Sequence, residues 1–271
     1  MKLKQFWQKS LIWLLLFWCI LALIYHSSVI VIIAGVMVWV IVVFLTAPGV
    51  FWNYLSHFIF NRQKKERWLV KAVSYKPYIS QPYAVLAIIY ARQKRWLEAV
   101  PLLEQAIGYT NLQSSAELKN LLAIACRESG SSDKALEILT GLIESGTKSF
   151  IIYLNLASAY MKLGRWEEMK AAAEKARSFD LKSNQPVLLM GRAHFELGEF
   201  QKAKDDYEWS IGHMSWPVES YYWLGRSELE LGEKEAAATH LKTALERIKD
   251  DPDMADVPYL EVEEWLKKAE E

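Results

Sequence analysis

Two Cys and five His are the residues best suited to metal or redox chemistry in this 271-residue chain, and neither set is spaced for it. Cys19 lies in an apolar run and Cys126 far beyond it, so they make no C-x-x-C pair, and two Cys make no disulfide scaffold. The His residues are scattered, and no H-E-x-x-H, G-x-S-x-G or G-x-x-x-x-G-K-[ST] pattern occurs. We therefore expect no enzyme, no catalytic residue, no metal, no cofactor and no small-molecule substrate. The side chains left for recognition are Arg192 and Arg226, whose forked donors suit carboxylates. With Asn155, Ser158, Lys162, Phe195 and Tyr222 they become neighbours only if the chain repeats with their 34-residue separation. A second set, Arg62, Lys64, Lys65 and Arg67, is a basic collar suited to anionic lipid.

The repeat is present. Tyr153, Leu156-Ala157, Tyr160, Gly164, Trp166, Ala173 and Ala176 set a register, and 34 residues on stand Met190-Gly191, His194, Gly198, Phe200 and Tyr207. A further 34 gives Leu224-Gly225, Gly232, Ala237 and Leu241; 34 back gives Leu122-Ala123, Cys126, Gly130 and Leu139. A last step back of 36 reaches Leu86-Ala87, Tyr90, Trp96, Ala99 and Leu103. Apolar positions within each unit recur every three or four residues, which predicts two helices, and a Gly between them supplies the turn. Small residues at Ala87, Ala123, Ala157, Gly191 and Gly225 on first helices, and at Ala99, Ala135, Ala203 and Ala237 on second helices, allow close approach. Met169 departs from that rule, predicting looser packing, and Lys94 stands where the turn Gly of the first unit belongs.

This pattern resembles the tetratricopeptide repeat from about Gln81 to Asp250. The resemblance implies an all-α fold: an α-solenoid of about five helix-turn-helix repeats over 81–271, ending in a capping helix with Val262, Trp265 and Leu266 inward. It also implies a concave groove lined by first helices, where Asn155, Ser158, Lys162, Arg192, Phe195, Tyr222 and Arg226 would meet a protein or peptide partner, acidic if the two Arg anchor it. Some members hold a chaperone's C-terminal carboxylate with a Lys/Asn/Arg clamp; Ala84 and Ile88 stand at first-unit positions of that clamp, which puts such binding in doubt.

Upstream, no Asp, Glu, Lys or Arg occurs in the 47 residues from Ser10 to Ser56. That length suits two apolar helices, about Ser10–Tyr25 and Val29–Leu45, broken at His26-Ser27-Ser28. Residues 1–48 are thus expected as a transmembrane hairpin. Basic flanks on both sides would keep both termini and the repeats cytoplasmic. A cleaved signal peptide fits less well, since no small-x-small site precedes a polar sequence. Residues 49–80 would form an interfacial helix rich in aromatic residues (Phe51, Trp52, Tyr54, Leu55, Phe58, Ile59) and then a half-repeat, Trp68-Leu69 to Pro77.

Formal charge sums to zero, yet residues 1–100 hold 12 basic and two acidic side chains, and residues 101–271 hold 20 and 30. The acidic repeats exclude a nucleic-acid partner. The expectation is a membrane-anchored scaffold binding a protein partner; the alternative is a subunit of a membrane complex held through the hairpin.

Overall fold

The computed structural model describes residues 29–58, 61–110, 115–213, 217–252 and 257–271, and its elements are α-helices. The chain divides into two compact units, Met1–Gly130 and Ser131–Glu271. In the first lie α1 (Val29–Thr46), α2 (Pro48–His57), α3 (Arg62–Ser74), α4 (Gln81–Arg92), α5 (Trp96–Gly108) and α6 (Ser115–Glu128). The second holds α7 (Ser132–Glu144), α8 (Phe150–Lys162), α9 (Trp166–Arg177), α10 (Gln185–Glu196), α11 (Phe200–His213), α12 (Val218–Glu230), α13 (Lys234–Asp250) and α14 (Tyr259–Glu270). Within each unit consecutive helices pack on one another, as in an α-solenoid.

The expected helix pairs and turns are there. Gly164, Gly198 and Gly232 adopt φ of 67°, 75° and 81°, the left-handed region that lets the chain reverse. At each, the following amide reaches back five residues to the first helix: Arg165 N to Tyr160 O, Glu199 N to His194 O and Glu233 N to Glu228 O, at 3.0, 2.8 and 2.8 Å. Lys94 takes the same conformation, φ 59°, and Arg95 N reaches Tyr90 O at 2.9 Å. The turn therefore forms without Gly, at a steric cost.

Helix approach is as close as the small residues imply. A Cβ on Gly191 would lie 2.9 Å from Cζ of Tyr207, and one on Gly225 would lie 2.7 Å from Cγ of Leu241. Neither distance admits a carbon atom. Met169, expected to loosen its pair, is instead fully buried at 0% exposure, its flexible side chain filling the space that Ala would leave.

Helix α3 stands where a second helix of a repeat belongs. Leu69 and Ala72 are wholly buried. Glu66 on α3 pairs with Arg95 in the following turn at 2.9 Å, and the same 29-residue relation recurs with charges exchanged in Lys170–Glu199 and Lys204–Glu233. That pair ties α3 to the turn that follows α4. At the other end α14 closes the second unit with Val262 at 0% and Ala269 at 5% exposure, and with Trp265 and Leu266 packed on the same core.

The N-terminal expectation needs correction. No helix among the described residues is long and apolar enough to cross a membrane. This overturns the transmembrane hairpin, and with it the two-span integral membrane localisation with cytoplasmic termini. The first expected span, Ser10–Tyr25, lies outside the described residues. Helix α1 has 18 residues, roughly 27 Å at 1.5 Å each, against about 30 Å of hydrocarbon. Its end is committed to protein packing: Val43 is 1% and Ala47 3% exposed, and Phe44 meets Phe51 edge-on at 5.2 Å. Of the residues expected at an interface, Trp52 is committed in the same way, whereas Phe58 is 79% exposed. Trp52 packs edge-on against Trp68 of α3 at 5.2 Å, beneath the Lys71 ammonium at 3.9 Å. Burial by the chain reaches only that end of α1: Ile33, Met37, Val38, Ile41 and Leu45 are each more than half exposed.

Candidate functional site

In the second unit the first helices of successive repeats lie side by side: α8 touches α10, α10 touches α12, and α12 touches α14. Register alone produces this row, because every repeat turns at the same place. Between α8 and α10 lies a recess of about 270 Å³. Leu154, Met161, Leu188 and Leu189 form its apolar lining, and Ser158, Gln185, Arg192 and Glu219 its polar edge. Ser158 donates its hydroxyl hydrogen to the Leu154 carbonyl at 2.9 Å, leaving its oxygen lone pairs as acceptors.

The two arginines are neighbours, as their spacing requires, and both lie against one tryptophan ring. The guanidinium of Arg192 lies 3.7 Å from the Trp223 ring centroid, and that of Arg226 lies 4.5 Å from it. Arg226 also lies over Trp265 at 4.2 Å and Phe195 at 4.8 Å. Its Nη1 donates to the Tyr222 hydroxyl at 3.2 Å, and that hydroxyl donates to Glu261 of α14 at 2.5 Å. Arg192 is ion-paired with Glu196 at 2.8 Å. The Nε atoms of both arginines are buried without a hydrogen-bond partner. Burial followed by the Glu261 hydrogen bond pushes the Tyr222 phenol up to about 12.

The expected site residues therefore separate. Ser158 and Arg192 line the recess. Asn155 is half-buried on the same helix, and Lys162 is exposed at its end. Phe195 and Tyr222 are not groove side chains: at 8% and 1% exposure they belong to the core, where they support Trp223. Arg226 is enclosed by aromatic rings and the cap. Leu188, Leu189 and Glu219 complete the recess, Glu219 from the first turn of the next repeat's first helix.

The collar residues Arg62, Lys64, Lys65 and Arg67 open α3. Asn61 caps that helix by accepting from the Lys64 amide at 3.0 Å, and Lys64 and Arg67 are exposed.

The histidines have structural partners. His194 Nδ1 lies 2.7 Å from Asp206, and His240 Nδ1 lies 2.7 Å from the buried Glu228. Glu228 stands 34 residues after His194, and His240 stands 34 after Asp206, so one repeat carries the pair and the next carries it with partners exchanged. Lys204 adds a 3.8 Å contact to Glu228. Among the described residues no group of three His, Cys, Asp or Glu is placed to hold a metal ion. Cys126 is buried and forms no disulfide among the described residues.

Fold and groove together define a helical repeat protein of the kind that mediates protein interactions. Tetratricopeptide repeat profiles match residues 85–150, 151–181 and 188–253, and the chain belongs to the tetratricopeptide repeat family. Folds of this family are typically non-enzymatic scaffolds. Solved structures agree on the fold. MamA is 19% identical with a TM-score of 0.54, over 66% of this chain and 98% of that one. TTC0263, a thermophilic tetratricopeptide repeat protein of Thermus thermophilus, is 20% identical with a TM-score of 0.54, over 70% and 98%. YrrB, described as having an unusual peptide-binding site, is 14% identical with a TM-score of 0.52, over 69% and 93%. No match was found among curated proteins.

Proposed function

We propose that the chain is a non-catalytic scaffold that holds a segment of a protein partner in the groove of its second unit. The observation that carries this reading is the apolar recess between α8 and α10, ringed by Ser158, Gln185, Arg192 and Glu219. Binding sites combine an apolar floor with a few placed polar groups in this manner. The description of YrrB as a peptide-binding protein of the same fold supports it. Ser158 and Arg192 contact the partner, and Asn155 and Lys162 extend the contact along α8. Phe195, Tyr222 and Arg226 hold Trp223, and through it Arg192, in place. An acidic partner would meet Arg192 only by displacing Glu196 from it.

The test is a photo-crosslinking amino acid placed at Lys162 in the full chain, in its native cell. One discrete protein adduct is expected, absent when the same group replaces the exposed Glu246 on α13 and lost when Ser158→Trp fills the recess. Adducts that are the same from both positions, or none from Lys162, overturn the reading.

A further inference from the structure

From the recess and the charges around it we infer that the partner is recognised by an aliphatic or aromatic anchor side chain on an electrically neutral segment, and not by a carboxylate. This rests on the groove reading above and names the chemistry of its occupant. The volume is suitable: a void of ~150 Å³ lined by Leu, Ile and Phe takes up a benzene ring, and this recess is larger, about 270 Å³, with Leu154, Met161, Leu188 and Leu189 around it.

Charge decides against an acid. Among the described residues the cation lining the recess is Arg192, with its Nη2 on Glu196 at 2.8 Å and its face on Trp223 at 3.7 Å. Glu219 stands on the same rim. Arg192 and the nearby Lys162 against Glu196 and Glu219 leave no positive excess to attract a carboxylate. Arg226 offers no alternative, because four rings, the Tyr222 hydroxyl and α14 already surround it. The surroundings act in the same direction: the second unit carries 18 Lys and Arg against 27 Asp and Glu, a field that repels acidic segments. A cationic side chain would be drawn to that field but would lose hydration over an apolar floor. A neutral apolar side chain meets neither penalty.

The experiment titrates the full chain, labelled with methyl-¹³C methionine, with the N-methylamides of N-acetyl leucine, phenylalanine, aspartate and lysine. The Met161 methyl signal, identified by its loss in Met161→Leu, reports the recess. Leucine and phenylalanine probes are expected to shift it saturably, with affinities at least about tenfold above the charged probes, since burying one such side chain is worth that much. The shift should persist from about 0.05 to 0.5 M NaCl, where exposed ion pairs are screened. Ser158→Trp should abolish it while the other methionine signals stay in place, which shows that the fold survives. An aspartate probe that binds as well as leucine, a shift suppressed by salt, or no shift from any probe overturns the inference. If the Lys162 photo-adduct forms and the probes prefer aspartate, only the anchor chemistry is wrong. If no adduct forms, the groove reading itself has failed.

Discussion

A single backbone position sets the first stability prediction. Lys94 holds φ 59° where the other repeats place Gly, and an L side chain there costs roughly 1 kcal/mol. Lys94→Gly should therefore raise stability by only about 0.5 kcal/mol in a urea titration, because the greater entropy of glycine in the unfolded chain offsets part of the gain. The reverse applies at the close approaches: Gly191→Ala and Gly225→Ala force a methyl into Tyr207 and Leu241 and should each cost about 1–3 kcal/mol. Two phenols make the fold sensitive to alkali. Burial, with Tyr109 and Tyr78 alongside, pushes Tyr83 up to about 12, and Tyr222 is likewise at about 12, whereas an unfolded tyrosine titrates near 10. The folded chain thus holds those protons more tightly, so their stabilisation is complete below about pH 10 and is lost as pH rises toward 12. Unfolding followed across that window should be less steep in Tyr83→Phe and Tyr222→Phe.

Between helices, charge pairs fix which repeat face meets which. Glu66–Arg95 is partly exposed, so its contribution is small. Arg95→Glu should lower the urea midpoint, since it also loses the Glu98 pair and sets like charges together. Adding Glu66→Lys should recover only the share that belongs to Glu66, because Lys170–Glu199 shows the exchanged pair in the same relation. Deeper in the fold, Glu228 is 2% exposed and held by His240 and Lys204. Removing a partner from a buried charge is expensive, so Lys204→Met should cost about 3 kcal/mol in the same titration. The repeat period was plain in the sequence at this scale, since Ala157, Gly191 and Gly225 follow directly from the need for close helices. The pairing of Glu66 with Arg95 was not legible, because nothing in one unit announces that its charges are exchanged relative to the next.

At the level of the whole molecule, stability in a repeat array is a sum of neighbouring interfaces, and α14 is the last of them in the second unit. Ending the chain after Asp250 would uncover the core residues against which Val262, Trp265 and Leu266 pack. Loss of at least about 4 kcal/mol is expected from those three side chains alone, read as a lower thermal midpoint. The same truncation removes Glu261 from the Tyr222 hydroxyl and Trp265 from Arg226. The cap therefore holds together the two residues that spacing alone would assign to a ligand.

The sequence by itself determined the repeat, its period and the small residues at helix crossings, because periodic burial writes a periodic pattern. It also placed Ser158 and Arg192 at a common recess, since register along a helix row is arithmetic. Only the tertiary structure decided what the apolar N-terminal helix packs against, and that Phe195 and Tyr222 face inward while Glu196 holds Arg192. Those outcomes depend on contacts between residues distant in the chain. Composition records that a side chain avoids water, but not which neighbour replaces it.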